Sequence, residues 1–296
     1  MKNFLLGSAV LLLTMQGNAL ASSLKLASIP ACERGEPICL ESVIQEMNTR
    51  YEPLALQGDR DGIFALTYLR TTETLQRTLN EVSFENPASV VREDALFADY
   101  YFRAYDAYHS GMGDVPPVWK IAFDAASNRS VSGSGNLILG VSAHILRDLP
   151  FVLYELDQQG NPISYEDHNL INQVLLQANA LGELAQRFDP TIDDGDLPGT
   201  EDDLQRFQIV AQWREVAFRN YERLRDAKSD SERSLVVAEI EGLSAATASS
   251  LFEAFQYPPT TNNNTSIPEP NSAYGLSLLA CTWLLSKVKK QPSLRS

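Results

Sequence analysis

Apolar positions along the chain recur every three or four residues and strict alternation is nearly absent, so helices are predicted throughout. The pattern places a first helix within residues 40–57, broken near Pro53, and a second over 61–82. A third starts at Pro87, a residue suited to the first helical position, and stops at Gly111. On it Phe97, Tyr101, Ala104, Tyr105 and Tyr108 share one face, an aromatic stripe that reads as core. A short helix over 117–126 follows the turn "GMGDVPPVW", and "SNRSVSGSG" reads as a polar loop. The segment "NLILGVSAHILRDLPFVLYEL", Asn136 to Leu156, is apolar almost all round, the mark of a buried central helix, and Pro150 is expected to kink it just beyond Asp148. Ser164 and Asp167 look like a capping box, with Ile163 as its staple, opening a helix that carries Ile171, Val174, Leu175, Ala178 and Leu181 inward and ends near Phe188. Two last helices span roughly 204–227 and 231–255. The fold class predicted is all-α: a single helical-bundle-like domain over 22–258, with about seven helices around the buried central one.

The two ends carry a different signal. Lys2, the apolar run Phe4 to Met15 and then Ala19-Leu20-Ala21 form a cleavable secretory signal over residues 1–21. Residues 259–266 are a linker by composition. From Ile267 onward come Pro268-Glu269-Pro270, an apolar run from Ala273 to Leu285, and Lys287, Lys289 and Lys290. This order resembles the PEP-CTERM sorting signal of Gram-negative bacteria, here covering 267–296 with a short transmembrane segment. The resemblance implies signal peptidase and exosortase as processing partners and transient membrane retention by the tail. It also implies passage through the periplasm to the cell surface or extracellular matrix. A plain C-terminal membrane anchor is the other reading of the same run.

Net charge is −14 over 296 residues, and setting the two terminal signals aside makes the remainder more acidic still. Such a surface repels phosphate backbones, so nucleic acid is not expected as a partner. Cys32 and Cys39 in "ACERGEPIC" are expected to form a small disulfide loop in an oxidising compartment, two free thiols being the alternative. Cys281 lies in the tail, and no second cysteine pair completes a zinc site.

Candidate chemistry centres on the central helix. The chain has three histidines, His109, His144 and His168, and His144 stands four residues before Asp148, so both lie on one helical face. Two such groups can share an ion, with a third ligand drawn from Asp99, Asp106, Asp167 or His168, because a catalytic zinc takes about three protein ligands. They can equally satisfy each other inside the core, or form a metal-free acid/base or ligand pocket. His168 is expected to be a first-turn residue facing the core, and His109 a partner of a helix C-terminus. The acidic stretch Asp189 to Asp203 is out of register for a calcium loop and reads as solvated. No phosphate loop, nucleophile elbow or H-E-x-x-H motif is present.

Taken together, "FADYYFRAYDAY", "VPPVWKIAFDAA", "LGVSAHILRDLP" and "DHNLINQVLLQANALG" resemble a bacterial family of domains of unknown function, numbered five-nine-nine-five, over most of Asp59 to Ala254. That resemblance implies an all-helical domain with no established activity. The His144, Asp148 and Pro150 frame is also similar to a helix of the zinc-dependent phospholipase C and P1-type nuclease families, whose His and Asp ligate metal. Those families use a whole set of histidines for three metals, and this chain departs from them by having three histidines in all. Two readings follow. One is an exported, surface-sorted helical protein that acts as a binding or extracellular-matrix module without a cofactor, its His/Asp pair architectural. The alternative is an extracellular metal-dependent hydrolase of phosphoesters, holding one zinc-like divalent ion at His144 and Asp148.

Overall fold

The computed structural model describes residues 25–192 and 201–257. The segments read as signal peptide, linker and sorting signal, including Pro268, Glu269 and Pro270, lie outside them. Among the described residues the regular structure is helical, apart from one isolated β-bridge between Val131 and Gln256. The helices are α1 (Pro30–Glu33), α2 (Ile38–Gln57), α3 (Asp61–Thr78), α4 (Pro87–Ser110), α5 (Pro117–Ser127), α6 (Gly133–Ser142), α7 (Leu149–Gln158), α8 (Tyr165–Gln177), α9 (Leu181–Arg187), α10 (Glu201–Asp226) and α11 (Asp230–Phe255). Short 3₁₀ turns occupy Leu26–Ser28 and Pro190–Ile192, and a π-helical stretch, Ala143–Asp148, joins α6 to α7.

The run from α6 through the π stretch to α7 is the predicted central helix. It packs against α3, α4, α5, α10 and α11. By length and composition it could cross a membrane, as could α11, but 67% of its most apolar window is buried within the protein. Its apolarity is therefore that of a core helix walled by other helices. Gly140 lets it come close: a Cβ there would meet the Phe64 ring of α3 at 2.7 Å.

Four local expectations are corrected. α2 runs unbroken through Pro53, because the carbonyl that a proline leaves unpaired belongs to Thr49, an exposed residue whose oxygen water can reach. α3 stops at Thr78 rather than Val82; the chain then turns so that Leu79, Val82 and Phe84 are buried, and Asn86 caps α4 by accepting from the Ser89 N–H. The helix opened by Ser164 ends at Gln177 and not near Phe188: Ala178 is extended, and the Asn179 side chain accepts from the Leu181 N–H, local bonding that competes with a continuous helix. The loop before the central helix is shorter than the polar composition suggests, since Ser132 caps α6 by accepting from the Gly135 N–H.

The N-terminal segment is held as predicted by a Cys32–Cys39 disulfide. Inside that loop Gly35 has φ +65°, and a Cβ on it would lie 2.2 Å from the Ala88 carbonyl oxygen at the start of α4, so glycine is required on both counts. The Asp99 carboxylate of α4 accepts from the Leu26 and Ala27 N–H groups at 2.8 and 2.9 Å, which ties the first described turn to the same helix.

Candidate functional site: the His144–Asp148 knot

The π-helical stretch has a local cause. Pro150 offers no N–H and its ring crowds the carbonyl four residues back, and the chain answers by widening the preceding turn, the Leu149 N–H donating to the His144 carbonyl. The irregularity thus falls before Pro150, on the His144–Asp148 stretch itself, and not just beyond Asp148 as expected from the proline.

Asp148 is fully buried and His144 is 4% exposed. The Asp148 Oδ2 accepts from Trp119 Nε1 at 2.8 Å and from His144 Nδ1 at 3.0 Å, while Oδ1 accepts from Arg147 Nη1 at 3.0 Å. Arg147 continues to Glu241 of α11 through its Nε, 3.0 Å from Oε1. One carboxylate therefore links α5, the central helix and, through Arg147, α11. Pro117 at the first position of α5 starts the helix on which Trp119 sits two residues later. Two of the segments that carry the family resemblance, "VPPVWKIAFDAA" and "LGVSAHILRDLP", meet at the Trp119–Asp148 bond.

His144 is enclosed by aromatic rings. It stacks on Phe97, 3.4 Å between centroids and 6° between planes, with Tyr68 at 4.7 Å and Phe64 at 5.4 Å. Burial pushes the imidazole below its ordinary pKa despite the opposing pull of Asp148. A neutral ring that donates Nδ1–H to the carboxylate presents a bare Nε2, and Nε2 has no hydrogen-bond partner.

The remaining candidates lie elsewhere. Asp99 caps the N-terminal turn. Asp106 pairs with Arg50 through both guanidinium Nη groups and is 37% exposed. Asp167 accepts from the Glu85 and Asn86 N–H groups, so it ends the α3–α4 connection while Ser164 does the capping that was expected of the pair. His168 faces the core as predicted, donating Nε2–H to the Arg214 carbonyl at 3.1 Å while the Arg214 guanidinium lies against its Nδ1 and carbonyl; burial, then the Arg214 charge, holds it well below the ordinary histidine pKa. His109 is not a helix-end partner: its Nε2 lies 2.9 Å from the buried Asp61 carboxylate across the helix pair, a bond that raises the imidazole pKa. Among the described residues, no three His, Cys, Asp or Glu side chains come together as a metal site. The donor set of the zinc reading therefore does not converge on His144 and Asp148.

Sequence reasoning missed a second buried cluster. Glu93 and Asp94 of α4 are 4% and 8% exposed and Arg214 of α10 is 3% exposed. Burial, the largest cause, pushes both carboxyls up to about 7, with the Arg214 charge opposing it at Glu93 and the Thr72 hydroxyl opposing it at Asp94. The signal was present: Asp94 stands in apolar register with Val90, Ala98 and Tyr101, and Arg214 with Val210, Phe218 and Tyr221. A charge in such a stripe must find a partner or give up its ionisation.

These features define an all-α domain whose central helix is fixed by a buried polar knot. The chain belongs to the Family of unknown function (DUF5995), whose profile matches residues 40–254. No match was found among curated proteins or among solved structures.

Proposed function

We propose that this chain is an exported, surface-sorted binding or extracellular-matrix module and that His144 and Asp148 are architectural. The observation that carries this reading is the commitment of Asp148: three side-chain donors from two helices occupy its oxygens, and aromatic rings cover the imidazole beside it. Ligands of a working metal need an open coordination position, and a general base needs a path to its substrate. A carboxylate and imidazole sealed into a core have neither. The bonded Cys32–Cys39 pair suits an oxidising compartment, in keeping with the secretory signal and the PEP-CTERM-like tail read from the sequence.

Elemental analysis of the mature protein, its Asp148→Asn variant and its His144→Ala variant, each with a thermal melt, tests the reading. Both variants are expected to melt lower with metal content unchanged from the wild type. A stoichiometric divalent metal that disappears in both variants would overturn the architectural reading in favour of a metal site at His144 and Asp148. Deleting residues 267–296 is expected to release a domain of unchanged helical circular dichroism into the medium, and an unfolded product would show that the tail is structural.

A further inference from the structure

A pocket of about 310 Å³ opens between the N-terminal segment, α4 and the end of α7, a size at the lower end of the range for small-molecule sites, roughly 300–1,000 Å³. Neither His144 nor Asp148 lines it. Its floor is apolar, made by Leu96, Phe102 and Leu156, all buried. Its walls bring together Lys25, Arg92 and Arg103, a concentration of cations in a chain of net charge −14.

The two arginines are held in a particular way. Arg92 donates Nε–H to the Glu33 carbonyl at 2.8 Å, and Arg103 donates Nε–H to the Asp99 carbonyl at 3.2 Å while its guanidinium lies over the Tyr100 ring, 4.1 Å from the centroid. Among the described residues neither enters an ion pair at contact distance, in contrast to Arg34, Arg50, Arg70, Arg147 and Arg219, which do. Anchoring through Nε sets the orientation of each guanidinium; the Tyr100 side chain is a further partner of Arg103, and the Nη edge of Arg92 is the one left for a planar oxyanion, with Arg103 beside it.

The pocket also holds Glu33, Asp99 and Glu155. Three carboxylates disfavour a multiply charged ligand such as a phosphate dianion. The Asp99 oxygens accept from the Leu26 and Ala27 N–H groups, and Glu155 accepts from the Tyr100 hydroxyl at 3.0 Å and from Gln159 Nε2 at 3.4 Å. The remaining acceptor capacity of Glu33 and Glu155 and the Gln159 carbonyl oxygen are therefore what a ligand's hydroxyl groups meet. We propose that this pocket binds a small hydroxylated monocarboxylate, of the class of a single sugar acid. The ligand's carboxylate meets Arg92 and Arg103, its hydroxyls meet Glu155 and Gln159, and its apolar ring face lies on Leu96 and Leu156. The proposal rests on reading the protein as a binding module, and it gives that module its ligand class. The wall formed by Lys25 to Glu33 is pinned at one end by the Asp99 bonds to Leu26 and Ala27 and at the other by the Cys32–Cys39 disulfide, and Cys32 itself lines the pocket. Reduction of that disulfide therefore frees one side of the site.

Titration calorimetry of the mature oxidised protein with glucuronate, glucose and inorganic phosphate tests this. Saturable one-site binding of glucuronate is expected, with glucose and phosphate at least tenfold weaker. Arg92→Gln and Arg103→Gln are each expected to weaken glucuronate at least tenfold, Arg103→Lys to restore part of the loss, and reduction to weaken binding in the wild type. Arg103 is exposed and Arg92 half-buried, and a melt equal to that of the wild type verifies folding of each variant. Phosphate binding tighter than glucuronate, glucose binding equal to it, binding unaffected by both arginine variants, or no saturable binding by glucuronate would each overturn the proposal. So would binding of glucuronate only after removal of the residues that precede Lys25, because the pocket would then belong to the chain's own N-terminus. None of these outcomes alters the metal and melting results at His144 and Asp148, so the two readings fail separately.

Discussion

On the central helix one buried carboxylate, Asp148, accepts from an indole, an imidazole and a guanidinium. On α4 two buried carboxyls, Glu93 and Asp94, each keep one oxygen without a hydrogen-bond partner, and burial raises both to about 7. The two regions satisfy buried carboxylates to different degrees: both Asp148 oxygens have side-chain donors, whereas Glu93 and Asp94 are short of them. Where donors are too few, a proton is the means left to neutralise the buried group.

The largest effect that would break this comparison is at Asp148. Replacement by Ala removes the acceptor shared by Trp119, His144 and Arg147 and leaves three donors in the core, so a loss of about 3–5 kcal/mol is expected in denaturant unfolding. A loss below about 1 kcal/mol would mean that the knot is not what holds the central helix to α5 and α11.

Acidity at α4 gives a smaller effect with a defined sign. A carboxyl whose folded pKa lies above its ordinary value, 4.5 for Glu93 or 3.8 for Asp94, binds its proton more tightly in the native state. Its contribution to stability is full below that ordinary value and is lost as pH rises through about 7. Raising pH from 6.5 to 8 is therefore expected to lower stability by about 1 kcal/mol per carboxyl. His109, whose pKa is also raised, adds a change in the same direction. His144 and His168, whose pKa values are lowered, lose their contribution only on the acid side, as pH falls from about 6.5. Comparing melts of wild type and Glu93→Gln over this window isolates one carboxyl. The variant should flatten the curve, and parallel curves would show that Glu93 does not titrate there.

The smallest effect is at Asp106, where a carboxylate faces a single guanidinium close to water. Asp106→Asn is expected to cost under about 1 kcal/mol, because solvent screens a pair of which one member is 37% exposed. A larger loss in urea unfolding would place the Arg50 pair among the supports of the core and weaken the contrast with Asp148.

Much of the fold was legible along the chain. The spacing of apolar residues located the helices, Pro87 and Gly111 bounded α4, Ser164 marked a cap, and the all-round apolarity of Asn136 to Leu156 marked the central helix. The pairing of His144 with Asp148 was legible too, because residues four apart share a helical face whatever surrounds them. Trp119 as the third member of the knot was not, since 29 residues and a helix crossing separate it from Asp148.

Local sequence by itself determined the elements, the short disulfide loop and the facing of neighbours one turn apart, because those depend on backbone geometry over a few residues. Tertiary structure alone decided the rest. Asp99, Asp106 and Asp167 were equivalent carboxylates on paper and became, respectively, a clamp on the N-terminal turn, a surface ion pair and an anchor for the α3–α4 connection. Partner identity across helices, the aromatic enclosure of His144 and the anchoring of Arg92 on the Glu33 carbonyl arise only when distant segments pack. Electrostatic strength is set by which groups and how much water share the neighbourhood, and no spacing along the chain encodes that.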